Sequence, residues 1–219
     1  MKPEIDPDRD KYYSYILCYV DYVLVLHHDA MTTLMKIDKY FKLKPSSIGD
    51  PEIYLGANLK YTLAANGVWC WTLSPSKYVQ EACKKCDIFL KNNFDGKYYL
   101  TKMAPNPFVV GYRPETDMTD PLDTDRASYY QTMIGVMRWM VEIGRIEIAT
   151  ECSLMSSYLA YTHKGHFECD LHMMGYLKWK QNSRLFSDPK YPDIDIDTFN
   201  DGADWKTFYG DVTKDTPPQ

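Results

Sequence analysis

Residues 15–26 read Tyr-Ile-Leu-Cys-Tyr-Val-Asp-Tyr-Val-Leu-Val-Leu, a single carboxylate set between two apolar runs rich in aromatic and β-branched side chains. Such runs form strands, and one polar residue between them marks the turn of a β-hairpin. Strands are expected over about 13–20 and 22–27. Burial of both would fix the tip, so Asp21 is expected to sit where a metal ion or substrate could be met.

The rest of the chain predicts an α+β architecture. Residues 1–12 are charged and contain prolines, which reads as a disordered leader. Asp29 is placed to cap a helix running to about Leu43, with Met31, Leu34, Met35, Ile37, Tyr40 and Phe41 as its apolar face. Pro45–Pro51 breaks it. A second hairpin is expected from Ile53–Leu63, a turn at Asn66-Gly67, and Val68–Leu73. Trp69 and Trp71 share one side of its return strand and read as core, with stacking on a sugar or base as the other possibility.

Ser74-Pro75 opens a helix to about Asn93. On it Val79, Ala82, Cys83, Cys86, Phe89 and Leu90 fall on one side, and Lys77, Lys84 and Lys91 form a row opposite. An irregular connection over 95–122 leads to three helices at about 123–143, 146–161 and 166–181, whose stripes have the period of a helical bundle. Gly135 is expected at a close helix approach, Arg145 and Glu147 as a local ion pair, and Arg184–Ser187 as a short strand.

Net charge is −5, which argues against a nucleic-acid partner until its distribution is considered. Eight aspartates against three lysines after residue 187 account for all of it, so the body is neutral with local basic faces. No apolar run reaches the roughly 18 residues that span a bilayer, so no membrane partner is expected. Six scattered cysteines suit free thiols in a reducing, cytoplasmic or nuclear setting. Cys83, Cys86, His163 and His166 invite a zinc reading, but their separation exceeds that of compact fingers, and buried thiols are the simpler account. His27-His28-Asp29 reads as a strand end and helix cap.

Several motifs in one order resemble the reverse transcriptases of copia-type retrotransposons. Tyr19-Val20-Asp21-Tyr22 resembles the catalytic hairpin, with Tyr22 where a second Asp belongs. Phe41-Lys42-Leu43-Lys44, Gly49 and Tyr54-Leu55-Gly56 resemble the approach to the primer grip. Leu73–Val79 resembles the start of the thumb. Tyr129–Gly135, Arg145–Ile148, His166-Phe167 and Tyr176-Leu177-Lys178 resemble later motifs.

The resemblance implies a partial palm over 13–73, a helical thumb and connection over 74–187, and an acidic tail over 188–219 leading toward a ribonuclease H domain. It assigns Asp21 as a Mg²⁺ ligand, Tyr54, Leu55 and Gly56 to the primer grip, and Lys77, Lys84 and Lys91 to the nucleic-acid backbone. The implied activity is RNA-directed DNA polymerisation on a template–primer, with the fingers and first palm strand of the pol polyprotein as partners. Two Mg²⁺ ions roughly 3.5–4 Å apart need more than one carboxylate. Neutral Tyr22 cannot serve, and is poorly suited to a turn position with positive φ. A catalytically incompetent fragment is therefore expected, and a non-catalytic nucleic-acid- or protein-binding module is the alternative.

Overall fold

A computed structural model describes residues 2–5, 11–94, 97–100 and 102–187, all within one compact unit that ends at Ser187. The acidic tail and its Trp205–Gly210 spacer lie outside the described residues. The fold is α+β, with two small antiparallel sheets and five α-helices among the described residues.

The first sheet has the order β1-β2-β3, formed by Lys2–Ile5, Lys11–Tyr19 and Tyr22–Leu26. Strand β1 corrects the expectation of a wholly disordered leader: it pairs with β2 from Lys2 opposite Ser14 to Ile5 opposite Lys11. An apolar strand with an open edge is a template for any segment that can reach it.

The β2–β3 hairpin turns where expected but is not buried. Ile16 and Leu17, on opposite faces, are both exposed, as are Tyr15 and Leu26. A ribbon apolar on both sides needs a layer on each. Helix α1 (Ala30–Asp38) supplies only part of one, and none of its own residues is buried. Asp29 caps α1 by accepting from the Thr32 N–H at 3.1 Å. The helix stops short of Leu43 because Asp38 turns back to accept the Leu43 N–H at 2.8 Å, leaving Tyr40 and Phe41 in solvent.

The second sheet has the order β4-β5-β6-β7, from Ile53–Tyr54, Ala57–Leu63, Trp69–Ser74 and Leu185–Ser187. Ile53–Leu63 is thus two strands rather than one, broken by a two-residue turn at Leu55-Gly56. Positive φ at both turn residues, 52° and 87°, is the geometry of a tight hairpin. The 64–68 turn closes as expected, with Gly67 at φ 78° and the Asn66 side chain accepting from Val68 N–H at 3.2 Å.

Helices α2 (Ser76–Phe94), α3 (Thr124–Glu142), α4 (Ala149–Ser156) and α5 (Lys164–Trp179) enclose the core. The second of the bundle helices expected after residue 123 is shorter than the sequence suggested, since a 3-10 turn occupies Ile146–Ile148 and the chain leaves α4 after Ser156, whereas the third has the expected length and starts two residues earlier. On α2 the dry face is Val79, Cys83, Cys86 and Leu90. Tyr130, wholly buried on α3, donates to the Met155 carbonyl at 2.7 Å and ties α3 to α4. About half of the core cluster is Met or Cys, soft side chains that fill irregular gaps. Gly135 faces open space rather than a neighbouring helix; the close approaches are at Gly144, φ 114°, against Leu73, and more tightly at Gly165, where a Cβ would collide with the Asp117 carboxylate.

Candidate nucleic-acid interface

The hairpin tip is Val20-Asp21. Tyr19 and Tyr22 pair directly across the ladder, so Tyr22 begins β3 and does not occupy the turn. The left-handed residue is Val20, at φ 53°. That corrects the expectation of strain at Tyr22. A β-branched residue there costs about 1–2 kcal/mol, and Val20 gains nothing in return from packing, being 93 % exposed.

Two aromatic contacts hold the tip against the rest of the chain. The Tyr22 ring meets Tyr54 edge-on at 6.3 Å, and Tyr19 lies 6.2 Å from Trp139 of α3. Tyr54 is the residue before the Leu55-Gly56 turn, so the two hairpins meet at this ring pair. Gly56 is there for its backbone conformation and not for a close approach, because a Cβ on it would touch nothing within 4 Å.

Lys77, Lys84 and Lys91 are all exposed along α2. None forms an ion pair with another described residue. At 1.5 Å rise per residue they stand about 10.5 Å apart, roughly the axial span of three phosphates on one strand.

Asp21 is exposed at the turn. Among the described residues no group of three or more His, Cys, Asp or Glu side chains converges as a metal site would require.

The cysteine and histidine pairs that suggested zinc have other partners. Cys83 and Cys86 face the core, near the Met174 carbonyl and the Met133 sulfur. His166, buried, accepts the His163 N–H at 3.0 Å and bonds the Pro114 carbonyl with its other ring nitrogen, closing the first turn of α5. The His163 ring bonds the Thr119 carbonyl. His27 accepts from Asp29 N–H at 2.8 Å, in keeping with a strand end.

Burial pushes the thiols of Cys83 and Cys169 up to about 12, and those of Cys86 and Cys152 to about 11. Cys18 is exposed. Ellman's reagent at pH 8 should therefore titrate one thiol quickly in the native protein and all six only after denaturation. Several fast thiols would mean an open core.

Three features escaped sequence reasoning. Trp69 is exposed where core was expected, and Tyr61 beside it is exposed as well, because among the described residues no layer covers them. Arg145 pairs with Glu147 at 2.6 Å as anticipated, yet it is 1 % exposed, with both terminal nitrogens unpartnered. Asp170 is fully buried with neither oxygen bonded, and desolvation holds its carboxyl well above the usual carboxylate range. A lone Asp within the Phe167/Leu171/Met174 stripe was its only sequence signal. Between α2 and α3 a cleft of about 330 Å³ is lined by Ala82, Cys86, Phe89, Tyr129, Met133 and Val136.

No family model, curated protein or solved structure matches the chain. Among the described residues no helix is long and apolar enough to cross a membrane.

Proposed function

We propose that this chain is part of a copia-type reverse transcriptase, a palm, thumb and connection fragment that binds a template–primer but does not polymerise DNA alone. The observation that carries the reading is the contact between the two hairpins. The Tyr22 ring, next to Asp21 in the chain, meets the Tyr54 ring that precedes the Leu55-Gly56 turn, which supports reading the two tips as one site. A polymerase needs this juxtaposition, since its metal carboxylate and its grip on the primer end must meet within a few ångströms of the reacting hydroxyl.

Asp21 is the carboxylate this chain offers to Mg²⁺, the ion that in such enzymes activates the primer hydroxyl and neutralises the departing pyrophosphate. The described residues do not complete that site, so no catalytic step is assigned to them. The partner is the fingers-bearing half of the palm, supplying the other carboxylates and covering the apolar faces of β2 and β3. Lys77, Lys84 and Lys91 follow the phosphate backbone.

The test is binding of a labelled RNA–DNA template–primer, with nucleotide incorporation measured beside it. Binding that weakens steeply as salt rises, with no incorporation, is the expected result. Absence of binding at low salt would overturn the reading of a polynucleotide binder, and incorporation by the purified chain would overturn that of lost activity. The alternative, a protein-binding remnant, predicts the first of those outcomes.

A further inference from the structure

The core takes nothing from the residues before Ala57. Among the described residues Ala57 is the first buried side chain, and the core cluster runs from Val79 to Leu177. Strands β1, β2 and β3 and helix α1 pack extensively only on one another, α1 lying against β3. A group of elements that buries no side chain in the common core loses little by leaving it, and such groups open at low free energy.

Aromatic rings carry the contact between this group and the rest of the chain. Tyr19 meets Trp139 of α3 at 6.2 Å, and Tyr22 meets Tyr54 at 6.3 Å. Tyr19 is 48 % exposed and Tyr22 44 %, so water reaches both contacts. The covalent link is equally slight. On one side Asp38 accepts the Leu43 N–H at 2.8 Å, and on the other the Glu52 carbonyl accepts the Leu59 N–H at 2.8 Å. Between these anchors, residues 44–51 hold a single 3-10 turn at Pro45–Ser47, with Gly49 beyond it. A few residues between elements are what absorbs the backbone rotation of a hinge.

We infer that β1, β2, β3 and α1 form a module that swings as one body about residues 44–51, latched to the remainder by the Tyr19–Trp139 and Tyr22–Tyr54 rings. Closed, the latch brings the hairpin that carries Asp21 to the turn after Tyr54; open, it parts them. The swing thereby assembles and dismantles the site proposed above. That consequence rests on reading the two tips as one site, whereas the motion itself does not.

The test is pulsed electron paramagnetic resonance on the whole chain, with one spin label on the exposed Cys18 and one on an introduced cysteine. M35C, at an exposed position of α1, reports distances within the module, and I88C, at an exposed position of α2, reports distances across the hinge. The first pair should give one narrow distance. The second should give two populations or a distribution several-fold broader. Y19A and W139A should each raise the longer-distance population roughly two- to tenfold, the strength of one aromatic contact, and leave the first pair unchanged. Bound template–primer should draw the second pair toward its shorter distance.

An across-hinge distance as narrow as the within-module one, in the parent and both variants, would overturn the hinge. A within-module distance that broadens alongside it would do the same, because the module would then be unravelling and not swinging. Template–primer that binds without narrowing the across-hinge distances would overturn the latch as a switch for that site. Absence of binding sinks the polynucleotide reading instead, and the hinge then stands or falls on the two spin pairs alone.

Discussion

Alanine at Lys77, Lys84 and Lys91 together will weaken template–primer binding on the order of a hundredfold at low salt. The three ammonium groups stand in one exposed row, and no described carboxylate is paired with them. Each contact with a phosphate releases a condensed counterion. The slope of log affinity against log salt should therefore become shallower by about 2.7 for B-DNA. That slope separates the two roles such a row can have. A merely solubilising helix face would leave it unchanged, even if affinity fell through general loss of positive charge. Helix stability should move little, because alanine is the better helix former and all three side chains lie in solvent. Anisotropy titrations at four or five salt concentrations supply the measurement, and an unaltered slope would remove α2 from the interface.

The second large effect concerns Asp170. Its carboxyl is fully buried, neither oxygen has a partner, and burial alone holds its pKa well above the usual carboxylate range. In the unfolded chain it ionises near pH 3.9. Between that value and its folded pKa the native state binds a proton that the unfolded state has released. Stability from this group is thus fully present below about pH 4 and is lost as pH rises, by up to about 1.4 kcal/mol per pH unit. Asp29, Asp38, Asp117, Asp120 and Asp123 act in the opposite direction, since hydrogen bonds or cations lower their pKa values. Their contribution is fully present above the unfolded pKa and is lost as pH falls through the folded values. The difference between D170N and the parent isolates the buried group. Urea unfolding at pH 4, 6 and 8 should show the asparagine variant gaining on the parent at each step. A pH-independent difference would mean that Asp170 is ionised in the folded protein.

Why the chain holds a buried acid at all is suggested by its surroundings. Cys86, Tyr130, Cys152 and Cys169 lie within electrostatic reach of Asp170, and an ionised carboxylate there would only disfavour their anions. A neutral carboxylic acid can lie among such groups, whereas a carboxylate would meet no cation there. The buried Arg145 differs, because its one ion pair with Glu147 reaches the half-buried surface.

Local rules determined the hairpin turn at Asp21, the Asp29 cap, the buried stripe of α2 and the lysine row behind it. Each follows from side chains a few residues apart: a short polar group that satisfies free N–H donors, or a 3.6-residue period that sorts wet from dry. The acidity of the tail and the neutrality of the body were equally legible, being sums over sequence. Exposure was not. Tyr15, Ile16, Leu17, Tyr61 and Trp69 have core chemistry, yet water reaches them, because burial depends on whether another layer arrives. The encounter of Tyr22 with Tyr54 joins residues more than thirty apart, and β7 joins the sheet from beyond the whole helical bundle. Only the folded chain decides such meetings, since they depend on how complete helices and sheets pack, which no local period encodes.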